Sequence, residues 1–281
     1  MVSFSIITPV FNLIRSGRED TFRQTVNSVA AQSWPAVEHV VADGVSNDGT
    51  VEFVEHVLAE KSRSIFVSKK DRNLYGGKNN GAEASTGDYL MFINSDDYLI
   101  DSRIIETLTR AVEKERPSLV FGSIQRLDEA GVFQRSCPPG TNIFLRQMPF
   151  STQAMAVRRD VFFSLSGFDE SFPILGDYDF FWRLLFRYPD VMQIDKDIAV
   201  FRTGGVSEDY EARRREIMDV WAKNYGRFTS GFDVDWERAQ RRRCFPFRLL
   251  WAIWRASGDN AIVRSAVAHE LGRSLRRMVV V

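Results

Sequence analysis

The run Tyr89–Ile93, followed at once by Asn94-Ser95-Asp96-Asp97, constrains this chain most. A short apolar run bounded by polar residues reads as a buried strand. Two adjacent carboxylates at its carboxyl end repel each other and need a counter-charge. A divalent cation is one answer, since Mg2+ and Mn2+ prefer carboxylate oxygens and commonly bridge to a diphosphate. An N-cap for the following helix is the other, because Asp is common there. Spacing alone leaves both open.

The same arrangement recurs upstream. Phe4–Ile7 reads as a strand ending in Thr8-Pro9, and Val37–Ala42 as a strand ending in Asp43. Ile65–Val67 and Leu119–Phe121 are further short strands. Between them, Arg18–Gln32, Val51–Leu58, Gly77–Ser85 and Ile104–Val112 carry helical spacing or composition. Strands alternating with helices predict an α/β fold, a mostly parallel sheet with flanking helices. Later, Asp128-Glu129-Ala130-Gly131 reads as a hairpin turn, Gln153–Val157 as a strand and Asp177–Arg187 as a helix. Past Tyr225 only helical, Arg-rich segments remain. The expected division is a catalytic domain over 1–225 and a helical C-terminal extension over 226–281.

In open α/β sheets ligands bind outside the carboxyl ends of the strands. Thr8-Pro9, Asp43 and Asp96-Asp97 should therefore converge on one crevice. Asp43, acceptor-only when ionised, can receive the imide N–H of uracil or thymine or the N–H groups of guanine. An ordinary Asp-Gly turn is the alternative. Thr8 reads equally as a strand end, Asp71 as a turn residue and Asp177 as an N-cap.

Taken in order, these pieces resemble the inverting nucleotide-sugar glycosyltransferases of the GT-A fold, family 2. The segments are Thr8-Pro9-Val10-Phe11-Asn12, Asp43 to Thr50, Asp71-Arg72-Asn73 with Asn79-Asn80-Gly81, and Asn94 to Asp97. Gly167-Phe168-Asp169-Glu170, the run Gly176 to Leu184 and Gly204-Gly205-Val206-Ser207 continue the pattern, so the resemblance spans roughly residues 3–225. It implies that Thr8 and Phe11 line a base pocket, Asp43 holds the base and Asp71 contacts the nucleotide. Asp96 would face the ribose, or reach the metal through water. Asp97 would ligate Mg2+ or Mn2+ on the diphosphate, and Asp177 would be the general base, with Asp179 its closest rival. The implied reaction moves a sugar, from UDP above other nucleotides, onto a hydroxyl of a glycan or lipid-linked acceptor in surface polysaccharide or glycolipid assembly. A non-catalytic nucleotide-sugar or glycan-binding module on the same fold is the alternative. Three positions depart from the pattern. Val45 replaces a common Gly or Asp, Gly76-Gly77-Lys78 replaces an Asp-Ala-hydrophobe triplet, and Gly176 stands where an acidic residue often precedes the base.

Charge is uneven along a chain of zero formal net charge. Gln240 to Val281 carries nine Arg against Asp259 and Glu270, a net of +7. Phe247, Leu250, Trp251 and Trp254 recur at helical spacing there, as do Ile262, Val263, Ala266, Val267, Leu271 and Leu275. Such helices lie on an anionic bilayer or pack their stripe against protein. Gln240-Arg241-Arg242-Arg243-Cys244 is faintly similar to the Gln-x-x-Arg-Trp of processive synthases but lacks the Trp. Two cysteines without metal-like spacing, no leader before the first strand and no apolar run of about 20 residues predict a cytoplasmic protein. On the bilayer reading of the C-terminal helices, it would also make peripheral contact at the inner face of the membrane; on the packing reading it would not. No nucleic-acid partner is expected. His39, His56 and His269 read as structural residues without partners.

Overall fold

Burial on both faces decides how the first strands arrange themselves. In a computed structural model describing residues 1–204 and 209–279, β1 (Phe4–Val10) is buried at every position. A strand without a wet face belongs at the centre of a sheet covered on both sides. β1 lies there, parallel to β2 (Val37–Asp43) on one side and β4 (Tyr89–Phe92) on the other. β3 (Ser64–Ser68) extends the parallel set from β2. The register places Val10 opposite Asp43, and Asp43 opposite Ser68, so the strand ends that precede the polar clusters line up.

α1 (Glu19–Ala30) and α2 (Thr50–Leu58) cover one face through Phe22, Val26 and Val54, packed against Val10 and Val41. α4 (Ile104–Val112) buries Ile104, Ile105, Leu108 and Val112 in a second cluster with Phe4, Ile6 and Met91. α3 (Leu74–Ala84) lies close on β1. Its Gly81 explains the closeness: a Cβ there would stand 2.4 Å from Ile7 Cγ2.

The sheet is mixed rather than mostly parallel. Among the described residues it has nine strands in the order β3-β2-β1-β4-β8-β6-β9-β5, with β7 paired to β6. β8 (Met155–Arg158) runs antiparallel between β4 and β6 (Leu119–Leu127). β9 (Val191–Arg202) pairs parallel with β6 and antiparallel with the two-residue β5 (Tyr98–Leu99). These pairings join distant residues, such as Leu90 with Val157, so local periodicity does not encode them. β7 (Phe133–Ser136) returns from β6 as an antiparallel hairpin across the expected turn. α5 (Arg159–Ser164) follows β8.

The chain forms two compact units. The first comprises residues 1–137, 150–173 and 190–205 and holds the whole sheet. The second comprises 138–149, 174–189 and 206–281. It contains α6 (Gly176–Arg187), α7 (Tyr210–Tyr225), α8 (Trp236–Arg242), α9 (Phe247–Ala256) and α10 (Ala261–Val279). The boundary expected after Tyr225 falls inside this unit. Its core includes Tyr178, Phe181, Trp182, Trp221 and Tyr225, with the Tyr225 hydroxyl donating to the Leu145 carbonyl. Of the two C-terminal apolar stripes, Leu250, Val263, Ala266 and Val267 are buried against protein, and Leu275 is exposed. Phe247 and Trp251 remain exposed on α9. Among the described residues no helix is long and apolar enough to cross a membrane. Gly205, Val206 and Ser207 lie outside the described residues.

The contact at Gly81 gives a direct test. Ala is the better helix former, but Ile7 is fully buried and cannot yield. Gly81→Ala should therefore lower unfolding free energy by about 1–3 kcal/mol, the usual result of overpacking, measured by urea denaturation.

Candidate active site

The polar clusters of the first unit meet at the carboxyl ends of β1, β2 and β3. A cavity of about 630 Å3 opens there, within the usual range for small-molecule sites. Pro9, Val10 and Phe11 line it from β1, Gly44 and Val45 from the loop after β2, and Asp71 and Arg72 from the loop after β3. Ser95 and Arg18 complete the wall. Phe11 is 60% exposed, available to a flat ring.

Thr8 does not face this cavity. It is fully buried and its hydroxyl is 2.9 Å from His39 Nε2. This corrects two expectations: Thr8 is a sheet residue, and His39 has a partner. Burial pushes the His39 imidazole down to about 4, so it is neutral at neutral pH. His269 likewise has a neighbour, 3.2 Å from Asn142 Nδ2.

Asp43 ends β2 as expected, but its carboxylate turns back on its own loop. It accepts from the backbone N–H groups of Val45 (2.9 Å) and Ser46 (3.1 Å), from the Ser46 hydroxyl and from the Ser68 hydroxyl (2.7 Å). A carboxylate offers about four lone-pair sites. Three of these four bonds fall on Oδ2 and one on Oδ1, so the side chain shapes the loop that follows β2. The loop is also clamped to the end of β1. Asn12 N donates to Ser46 Oγ (2.8 Å), and Asn47 N donates to Asn12 Oδ1 (3.1 Å).

Asp71 is the carboxyl group on the cavity wall. Burial, with the charges of Asp43 and Glu170, pushes it up to about 6. Glycines make room for it: a Cβ at Gly44 would lie 2.7 Å from Asp71 Oδ2, and one at Gly77 would lie 3.0 Å away. The unusual Gly76-Gly77-Lys78 run therefore fits around this carboxyl. Asn73 caps α3 by accepting from Tyr75 N (3.0 Å) and donates to the Glu170 carbonyl (2.8 Å). Asn79 donates to the Phe168 carbonyl (2.9 Å) and accepts from Phe168 N (3.0 Å). The Gly167-Phe168-Asp169-Glu170 segment is thus docked on α3.

Asp96 and Asp97 diverge. Asp96 pairs with Arg18 at 3.3 Å and keeps 21% of its side chain exposed. Asp97 is buried and accepts from Arg202 N (2.9 Å), Gln153 Nε2 (2.8 Å) and Asn94 Nδ2 (3.1 Å). Burial, reinforced by the Asp96 charge, holds Asp97 well above the usual carboxylate range; hydrogen bonds and Lys78 oppose the shift. Among the described residues Oδ1 of Asp97 accepts only the Arg202 bond, which leaves an acceptor position. Hard oxygen donors that resist sharing negative charge fit Mg2+ or Mn2+. Such ions are commonly held by one or two carboxylates together with phosphates. Among the described residues no group of three or more His, Cys, Asp or Glu could hold a metal alone.

Residues 5–168 match the family described as glycosyl transferase family 2. The chain belongs to that family. It is similar to a PGL/p-HBAD biosynthesis glycosyltransferase of Mycobacterium bovis, 26% identical over 180 residues, 63% of this chain and 67% of the relative. Its fold is that of S. aureus TarS solved in complex with UDP-GlcNAc, with a TM-score of 0.62 and 16% identity over 98% of this chain and 92% of the other. A mannosyltransferase from Pyrobaculum calidifontis, solved with GDP-Man and Mn2+, gives 0.59 and 14% over 98% and 80%.

In this glycosyltransferase, Asp177 and Asp179 lie in the second unit, beyond the matched residues. Asp177 is partly exposed in the first turn of α6. Asp179 is fully buried and receives Arg183 Nε, Asn224 Nδ2 and Lys223 Nζ, each at 2.8 Å. The start of α6 has no side-chain cap of its own. Instead Glu216 of α7 accepts from Ile174 N (2.8 Å) and Leu175 N (2.6 Å). Sequence reasoning missed Glu216, Gln153 and the cations Arg18, Lys70 and Arg72. Only the Lys69-Lys70-Asp71-Arg72 run just after a strand end could have signalled any of them.

Two stability measurements follow. Val45 adopts φ +66 in the cavity loop, a left-handed conformation that β-branched residues rarely take. Val45→Gly should raise stability by up to about 1 kcal/mol, the strain relieved less the entropy of glycine. Asp71 binds its proton more tightly folded than unfolded. Stability should therefore fall as pH rises from 3.8 to about 6 and stay lower above. Asp71→Asn should raise Tm at neutral pH, an advantage that disappears below the ordinary carboxyl value.

Proposed function

We propose that this glycosyltransferase moves a sugar from a nucleotide-diphosphate donor, UDP-linked above others, onto an acceptor hydroxyl with inversion. The observation that carries the reading is the first-unit cavity, which combines an exposed aromatic, an acceptor carboxyl and three cations at the strand ends. Phe11 and Val45 take the base between them. Asp71 accepts its ring N–H, which uracil, thymine and guanine have and adenine and cytosine lack. Arg18, Lys70 and Arg72 supply positive charge for the diphosphate. Asp96 serves the ribose side.

Asp97 would hold Mg2+ or Mn2+, an ion that would offset charge on the departing diphosphate. The reaction itself needs a base. Asp177 takes the acceptor proton as its oxygen attacks the anomeric carbon, and the bond to the diphosphate breaks with its electron pair on phosphate oxygen. The buried ion pairs of Asp179 support Asp177 as that base, and Glu216 positions it. Residues 1–225 carry the catalytic domain and 226–281 the helical extension. The setting is surface polysaccharide or glycolipid assembly in the cytoplasm with a glycan or lipid-linked acceptor. Exposed Phe247 and Trp251, beside Arg248 and Arg255, support a peripheral contact at the inner membrane face.

Three outcomes test this reading. Asp97→Asn, or EDTA on the unaltered chain, should abolish transfer and weaken UDP binding; full activity in EDTA contradicts the metal. Asp177→Asn should lower kcat by roughly 10²–10⁴-fold with UDP affinity unchanged, while a silent Asp177→Asn overturns the base. Ionised Asp71 is the stronger acceptor, so UDP affinity should rise with pH through about 6, and that rise should shrink in Asp71→Asn. Calorimetry across that range reads both.

A further inference from the structure

A second cavity lies within the second unit and has no part in the reading above. It encloses about 480 Å3 and is lined by Arg146, Arg214, Arg241, Arg243 and Arg273, with buried Trp221 in its wall. No acidic side chain lines it among the described residues. These arginines come from four places in the chain: the 138–149 segment, α7, α8 with the residue following it, and α10. Folding therefore gathers them. Bringing five guanidinium groups to one concavity costs electrostatic energy.

The acidic partners lie elsewhere. Glu270, fully buried, pairs with Arg146. Glu237 and Glu211 stand 3.8 Å from Arg241 and 4.0 Å from Arg214, and each is 68% exposed. Exposed pairs of that kind contribute little. Arg214 is braced in place: its Nε donates to Gln240 Oε1 (3.1 Å), and Gln240 Nε2 donates to the Arg214 carbonyl (3.0 Å). Arg146 is fixed by Glu270 and lies 5.1 Å from the Phe245 ring. Arg243 takes φ +49, a left-handed position that ends α8 and favours glycine. An arginine held there against backbone preference, on a cavity wall, points to a role for its side chain.

We propose that this cavity binds a phosphate ester or diphosphate group. Guanidinium groups donate in a planar fork that matches phosphate oxygens, and the pairs so formed are short and strong. Two Arg already fixed by Gln240 and Glu270 lower the ordering cost of binding. The group could come from a soluble phosphate ester or from a lipid headgroup. The site shares no lining residue with the first-unit cavity, and the inference does not depend on the transfer reaction.

The test uses the full chain, with inorganic pyrophosphate as probe in calorimetry at low salt. Arg241→Ala/Arg243→Ala should weaken pyrophosphate binding about tenfold or more, as expected for lost hydrogen bonds to a charged group. Any pyrophosphate held in the nucleotide cavity is common to both proteins, so the difference isolates this site whatever the fate of the nucleotide reading. Arg243→Gly controls for folding. Glycine suits the backbone there, so Tm should hold or rise while affinity falls. Equal pyrophosphate affinity in all three proteins overturns the proposal, as does no binding by the unaltered chain. Phosphatidylcholine vesicles with and without phosphatidic acid assign the source. Co-sedimentation that needs phosphatidic acid and is lost in both variants assigns a lipid headgroup. Pyrophosphate binding with no vesicle binding assigns a soluble ester.

Discussion

Crowding of like charge at the carboxyl edge of the parallel strands is the constraint on which the donor side of this protein depends. Asp43, Asp71 and the Asp96-Asp97 pair follow the carboxyl ends of β2, β3 and β4, and Glu170 comes close to Asp71 from the segment docked on α3. The chain neutralises some of them itself. Asp43 is satisfied by its own loop and Ser68, and Asp96 by Arg18. Asp71 and Asp97 are not neutralised in the same way, and burial raises both. On the proposed reading, a ligand that brings N–H donors and a divalent ion would relieve that condition.

The backbone around the cavity follows from that crowding. Gly44 and Gly77 leave no Cβ where the Asp71 carboxyl sits. Asn12 and Val45 take left-handed conformations in the two loops that meet over the cavity. Asn tolerates this and Val does not, so Val45 carries strain that a glycine in its place would relieve. Departures from the family pattern at Val45 and at Gly76-Gly77-Lys78 thus fall on the wall of the strand-end cavity and on the packing around Asp71.

Much of this is legible in the amino-acid sequence, for a simple reason. An apolar run that ends in carboxylates marks both a strand and the edge where ligands bind, so Asp43 and Asp96-Asp97 can be placed from their neighbours in the chain. Thr8 cannot. β1 is buried on both faces, and alternation then says nothing about which way a side chain points. The split between Asp177 and Asp179 is also hidden, because Asn224 and Lys223, which take up Asp179, come from more than forty residues away. β9 escapes sequence reasoning because its polar residues Gln193, Asp195 and Lys196 interrupt any strand pattern. The five-arginine cavity is visible only as net charge. Its members lie on separate elements, and nothing local links Arg146 to Arg241 or Arg273.

The central claim is that the strand-end cavity of the first unit holds the donor nucleotide. A crystal structure of the chain with UDP and Mn2+ tests it most directly. The account predicts uracil beside Phe11 with its imide N–H on Asp71, and the diphosphate directed toward Arg18 and Asp97. A nucleotide seated anywhere else, or excluded from this cavity by the loop that Asp43 holds, would contradict it.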